Sequence, residues 1–237
     1  MANQYFKFKQ FTIHQDKCAM KVGTDGVLLG AWANISGSIR ILDIGTGTGM
    51  IAIMMAQRSH AQVDGIELEV SAYEQAKQNV LGCKWNDRIN IYNQSFQDFC
   101  GTTGKTYDVI ITNPPYFVNS HKTPHKNRTT ARHNETLDFD DILGGTKKLL
   151  NEQGSLNLIL PKTEAIQFTE KALDYDLFCT RRTYVKSTPQ KPPKRILMEF
   201  KFKKEPLRED YLVIETHKRH HYTKEYKELT KKFYLNF

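Results

Sequence analysis

Asn113-Pro114-Pro115-Tyr116 is the segment whose residue types and order best suit chemistry. Two successive prolines fix φ twice and remove two backbone donors. The amide oxygen of Asn113 and the carbonyl of Pro114 can therefore be held as two acceptors facing one point. An exocyclic amino group offers two N–H donors to such a pair. Its lone pair is normally delocalised into the ring, which makes it a poor nucleophile. Two acceptors favour a more pyramidal nitrogen whose lone pair points at an electrophilic methyl group. The gain comes from positioning and electrostatics, with no strong base required. Tyr116 is suited to stack on the face of a flipped base. The plainer alternative is a diproline turn after a strand, with Asn113 merely capping the next segment.

A second constellation lies upstream. Asp43-Ile-Gly45-Thr-Gly47-Thr-Gly49 places three glycines at alternate positions, where the backbone can turn sharply and approach a ligand. A dinucleotide fingerprint is GxGxxG and sets a pyrophosphate on the helix N-terminus. The spacing here is GxGxG, and a site for S-adenosyl-L-methionine needs a close-fitting turn without a phosphate contact. Alone, the loop is also compatible with an ordinary strand-to-helix turn. Glu67 follows Gly45 by 22 residues at the end of the next strand-like run. A carboxylate there can accept both ribose hydroxyls, although a surface glutamate at a strand end is the simpler account. Together the loop and Glu67 indicate an adenosine-containing cofactor.

The elements that must position these groups alternate in type. Strands are expected at Ile39–Ile44, Gln62–Glu67, Ile89–Tyr92, Tyr107–Thr112 and Ser155–Leu160. Helices are expected over about Met50–Arg58, Val70–Leu81, Asp138–Leu150 and Thr163–Leu173. This alternation implies βαβ units, right-handed crossovers and a parallel sheet covered on both faces. Ligands then bind at the carboxyl ends of the strands. Phe178–Lys186 and Arg195–Lys203, separated by the breaker STPQKPPK, read as an antiparallel pair closing one edge. A last amphipathic helix is expected over Lys224–Phe233. The expected fold class is α/β, a doubly wound, mainly parallel Rossmann-like sheet with an antiparallel C-terminal edge. One domain is expected over residues 1–237, with a lead-in at 1–38 and a helical tail from about 215 to 237.

Bulk properties bound the class. In 237 residues, 39% hydrophobic and 25% charged content is ordinary for a globular protein. No apolar run is long enough to span a membrane, and the start lacks the apolar core of a signal peptide. The four scattered cysteines form no CxxC pair, so reduced thiols and a cytoplasmic location are expected. His217, His220 and His221 have no carboxylate or cysteine at ligand spacing, so no metal is expected. The net charge of +8 leans toward a polyanionic partner, although a solvated basic surface accounts for it as well.

The order DIGTGTG, Glu67, NPPY resembles that of class I methyltransferases of the NPPY-type amino methyltransferases. The likeness is closer still to the bacterial enzymes that methylate N6 of the adenine beside the anticodon of tRNA(Val). It runs nearly end to end, through FKQFTIHQDKCAMKVGTDGVLLGAWA, LDIGTGTG, NPPYF and YTKEYKELTKKFYLNF. The resemblance implies S-adenosyl-L-methionine as cofactor and tRNA as partner; separately, a monomer is expected, with a dimer left open by the sequence. It implies that Lys21, Thr24 and Asp25 lie near the methionyl part of the cofactor and Asp43 near its amino group. Related enzymes commonly carry an Asp after the third strand that accepts from the cofactor's adenine amine. The register here puts Ser95 at that place, with Phe96 able to pack on the adenine face and Asp98 in the following helix.

Two basic stretches are candidates for holding RNA. Lys122, Lys126, Arg128 and Arg132 lie in a polar run without acids directly after the tetrapeptide; a solvated loop is the competing account. Arg181, Arg182, Lys194 and Arg195 lie near the expected edge pair, where charge that discourages aggregation explains them equally well. Rival functions are amino methylation of other RNA, DNA or a protein glutamine, and a non-catalytic RNA-binding module. No long inserted recognition domain and no helical N-terminal domain is visible to support the DNA or glutamine reading. The intact glycines, Glu67 and NPPY argue against a decayed site.

Overall fold

The computed structural model of the chain describes residues 3–114 and 137–237. In the core of the fold, β3 (Arg40–Ile44), β4 (Gln62–Glu67), β5 (Ile89–Asn93), β6 (Tyr107–Thr112) and β7 (Leu150–Pro161) pair in parallel. Between them run α2 (Met50–Arg58), α3 (Val70–Leu81), α4 (Phe96–Thr102) and α5 (Phe139–Leu149). Side chains alternate across this sheet. Ile41, Val109, Ile111, Ile159 and Leu197 join one apolar cluster; Leu42, Ile110, Leu158 and Met198 join the other. That is the two-sided burial expected of a doubly wound sheet.

Local signals set several boundaries. Asp138 caps α5 through a reciprocal box, accepting from Asp141 N at 2.8 Å while its own N–H reaches Asp141 Oδ2 at 3.0 Å. Gly49 caps α2 in the left-handed region at φ 78°. β7 is longer than expected and runs directly into α6 (Lys162–Ala172).

The far side of the sheet carries one element beyond the expected pair. β9 (Arg195–Lys201) is antiparallel to both β7 and β8 (Phe178–Lys186). β10 (Arg208–Val213) then adds in parallel to β8, giving the order β10-β8-β9-β7-β6-β3-β4-β5. Its first four residues are exposed, so it has little of the apolar alternation that marks a strand.

The lead-in is folded. β1 (Tyr5–Lys7) and β2 (Thr12–His14) form a hairpin, and α1 (Thr24–Trp32) buries Gly26 through Trp32. A helix that is apolar all round shows no 3.6-residue periodicity, which is why the sequence did not display it. The tail holds α7 (Lys224–Thr230), shorter than expected by about one turn. Phe8, Phe11, Ile13, Tyr226 and Phe233 share the cluster that contains α1 and α2. Among the described residues, no helix is long and apolar enough to cross a membrane.

Candidate active site

The carboxyl ends of β3, β4, β5 and β6 deliver four groups to one cleft. The turn after β3 has Gly45, Gly47 and Gly49 at φ 68°, 55° and 78°, a region L-residues seldom adopt. A Cβ on Gly45 or Gly47 would meet no atom within 4 Å, so both glycines face open space. At Gly49 it would lie 3.3 Å from Ala76 Cβ, which fixes that glycine by helix packing.

Glu67 is held by the same turn. Its Oε2 accepts from Gly47 N and its Oε1 from Glu69 N, each at 2.9 Å. A carboxylate has about four acceptor sites, so both oxygens keep capacity for further donors. Thr46 N donates to Ile66 O at 2.9 Å, which ties the glycine turn to β4.

Two lobes open from this point. One, about 420 Å³, is walled by Ile66, Glu67, Leu68, Ser95 and Phe96. The other, about 440 Å³, is walled by Lys21, Thr24, Asp25, Gly26 and the glycine turn. Met20, Gly45, Gly47 and Asn113 line both, so Asn113 stands where the lobes meet. Its Oδ1 is buried without a hydrogen-bond partner among the described residues. A buried acceptor left unpaired costs about 1–3 kcal/mol and calls for an explanation.

Asp43 presents a second such atom. It is 0% exposed between β4 and β6; Oδ2 accepts from the Thr46 hydroxyl at 2.6 Å and Oδ1 has no partner among the described residues. Burial pushes its carboxyl up to about 7, and Glu67 adds to the rise; the Thr46 hydroxyl and the Ala52 amide oppose it. These features fit S-adenosyl-L-methionine. The open faces of Gly45 and Gly47 leave room for a ligand at the backbone, Glu67 suits ribose hydroxyls, and Asp43 suits a cationic amino group.

The expected site residues do not all stand free. Lys21 Nζ donates to the Gln15 carbonyl while lining the second lobe. Asp25 pairs with Arg195 at 2.7 Å, which bolts the start of β9 to the cofactor cleft. Ser95 is the N-cap of α4: it accepts from Asp98 N at 3.0 Å and donates to Asp98 Oδ2 at 2.6 Å. Its hydroxyl hydrogen is thus committed, and one acceptor site remains toward the lobe. Phe96 lines that lobe and packs on Gly145, where a Cβ would lie 2.3 Å from its ring.

Three cations expected to track RNA are engaged within the fold. The Arg181 guanidinium stacks 4.1 Å from the Trp32 ring, Arg182 pairs with Glu209 at 3.3 Å, and Arg195 holds Asp25. Lys194 is exposed. Pro115, Tyr116, Lys122, Lys126, Arg128 and Arg132 lie outside the described residues. Met20 and Leu68 are wall residues that sequence reasoning missed. Leu68 directly follows Glu67, and that adjacency was the available signal. Among the described residues, no group of three or more His, Cys, Asp or Glu side chains could hold a metal ion.

Known proteins share both fold and sequence with this chain. Residues 23–174 match the family described as methyltransferase small domain. A solved structure described as a predicted O-methyltransferase from Agrobacterium tumefaciens superposes with a TM-score of 0.67 at 18% identity, over 88% of this chain and 96% of that one. At that identity the likeness concerns the fold. Much nearer in sequence is a tRNA1(Val) (adenine(37)-N6)-methyltransferase of Trichodesmium erythraeum (strain IMS101), 48% identical over 100% of both chains. One from Phocaeicola vulgatus is 47% identical, again over 100% of both. Identity of that degree over the whole of both chains means that the chain belongs to the tRNA1(Val) (adenine(37)-N6)-methyltransferase family.

Proposed function

We infer that the protein methylates N6 of adenine 37 in tRNA1(Val), using S-adenosyl-L-methionine, in the cytoplasm. The end-to-end identity with relatives of that name carries the substrate. The unpartnered Asn113 oxygen at the junction of the lobes supports the reaction type.

The cofactor supplies a methyl group on a positively charged sulfur, an electrophile whose leaving group is a neutral thioether. Glu67, pinned by two backbone amides, takes the ribose hydroxyls in the first lobe. Ile66, Leu68 and Phe96 give that lobe the apolar walls an adenine ring needs. Asp43, two residues before Gly45, would hold the cationic amino group, and a positive charge there would favour its carboxylate form. Asn113 Oδ1 and the Pro114 carbonyl accept the two N–H groups of the target amine and orient the nitrogen lone pair across the junction. As the new N–C bond forms, the amine sheds one proton to water. Tyr116 stacks on the extruded base, and Lys122, Lys126, Arg128 and Arg132 take neighbouring phosphates.

The test is methyl transfer from labelled cofactor to total tRNA that lacks the modification, followed by nucleoside analysis and oligonucleotide mapping. Label is expected in N6-methyladenosine at the position 3′ to the anticodon of tRNA1(Val). Label in a different nucleoside, or in DNA alone, overturns the reading.

A further inference from the structure

The rim that carries the cleft continues past it. β6, β8 and β10 point the same way, so Asn113, the loop 187–194 and the segment 214–222 leave the sheet at one edge. Neighbouring strands lie about 4.8 Å apart, which sets β8 about 14 Å and β10 about 19 Å from β6 along that rim.

The two loops are built as one body. Ile214 N donates to Lys186 O and Glu215 N to Ser187 O, both at 2.9 Å, which extends the β8–β10 ladder beyond its strands. The Gln190 side-chain amide meets His217 Nδ1 at 2.7 Å. Thr216 N donates to His221 O at 2.7 Å and closes the turn between them. Within it His220 takes a left-handed φ of 64°, and its N–H is held by Glu215 Oε1 at 2.9 Å. Such a conformation in a non-glycine residue persists only where its surroundings impose it.

This body displays charge of one sign. Lys191, Lys194, Lys218 and Arg219 are all exposed. Glu215, the one acid in the two loops, is turned back onto the His220 amide. We propose that the platform is a second RNA contact, which grips the phosphates of the tRNA at a distance from the target adenine. The proposal rests on tRNA being the substrate. A stacked nucleic-acid strand carries one phosphate per about 3.4 Å, so the span from Asn113 to the platform covers about four to six nucleotides. Contacts of this kind fix register and orientation without reading bases. With Arg181, Arg182 and Arg195 engaged inside the fold, these four exposed cations remain on the platform for a polyanion.

The experiment combines Lys191→Ala, Lys194→Ala, Lys218→Ala and Arg219→Ala in the full chain and measures methylation of tRNA at several salt concentrations. The KM for tRNA is expected to rise about tenfold, and the log–log salt slope to fall by about three. Cofactor affinity by calorimetry stays within about twofold, because phosphate contacts do not reach that cleft. The double variant Lys218→Ala/Arg219→Ala, confined to the turn, answers the case in which the quadruple variant misfolds; its slope is expected to fall by about half as much. Wild-type KM and slope in the variants, beside normal transfer by the wild type, overturn the platform alone. A wild type that transfers no methyl to tRNA overturns the substrate reading and the platform with it.

Discussion

Asn113 keeps a buried oxygen without a partner among the described residues where the two lobes meet, and Asp43 keeps one directly before the glycine turn. A fold optimised only for stability would pair or expose such atoms. Asn113→Ala is expected to lower kcat about 100-fold, the order seen when one preorganised polar contact to a transition state is removed. The dissociation constant for S-adenosyl-L-methionine should stay within about twofold by calorimetry; normal turnover in the variant would remove Asn113 from the mechanism. Asp43 makes a prediction about pH. Its folded value of about 7 exceeds the unfolded value of 3.8, chiefly through burial, so the folded state keeps a proton that the unfolded chain releases. The associated stability is full below about pH 4 and is lost as pH rises to about 7, a difference on the order of 4 kcal/mol. Without cofactor, Asp43→Asn should melt several degrees above the wild type at pH 8, converging with it toward pH 4, while binding cofactor more weakly. Parallel melting profiles across that range would show that Asp43 is not the titrating group.

The glycine turn shows how one element divides its duties. Gly47 and Gly49 both have positive φ, so an alanine at either costs about 1–2 kcal/mol of backbone strain. Only Gly49 faces a neighbour, with Ala76 Cβ 3.3 Å from the new methyl; Gly47 faces the open cleft. Gly49→Ala should therefore lose more melting temperature, and Gly47→Ala more cofactor affinity, by about tenfold. Equal losses of both quantities in the two variants would refute this division. Much of the turn was legible, because GxGxG after an apolar run, taken together with Glu67, indicates an adenosine-containing cofactor. The separate tasks were not, since they depend on α3 packing across the turn. Ser95 teaches the same lesson. Its place in the chain marks the cleft wall, but its hydroxyl is turned to capping α4.

At the scale of the whole molecule, the two ends of the described chain close over one face. Lys9 N donates to Phe233 O at 2.8 Å, and Lys9 Nζ reaches the Lys231 carbonyl. Phe233 is 1% exposed in the cluster that holds α1 and α2, and α1 walls the second lobe of the cleft. Phe233→Ala should cost about 3–5 kcal/mol and lower the melting temperature by roughly 10 °C. Denaturant unfolding and calorimetry measure both. A change under about 1 kcal/mol would mean that this contact between the ends contributes little to the fold.

The order of the central strands and helices, the cleft at their carboxyl ends and the identity of Gly45, Gly47, Glu67 and Asn113 follow from local patterns. Apolar runs, glycine spacing and a diproline act over a few residues, and a parallel sheet places its strand ends together by topology alone. The lead-in escaped because α1 is buried on all sides and leaves no periodic trace. β10 escaped because its exposed face reads as loop. The partners of Arg181, Arg182 and Arg195 were decided only when Trp32, Glu209 and Asp25 came into reach across 149, 27 and 170 residues. A charge in the sequence declares what it can bind, and the neighbours that the tertiary structure brings decide whether it is still available.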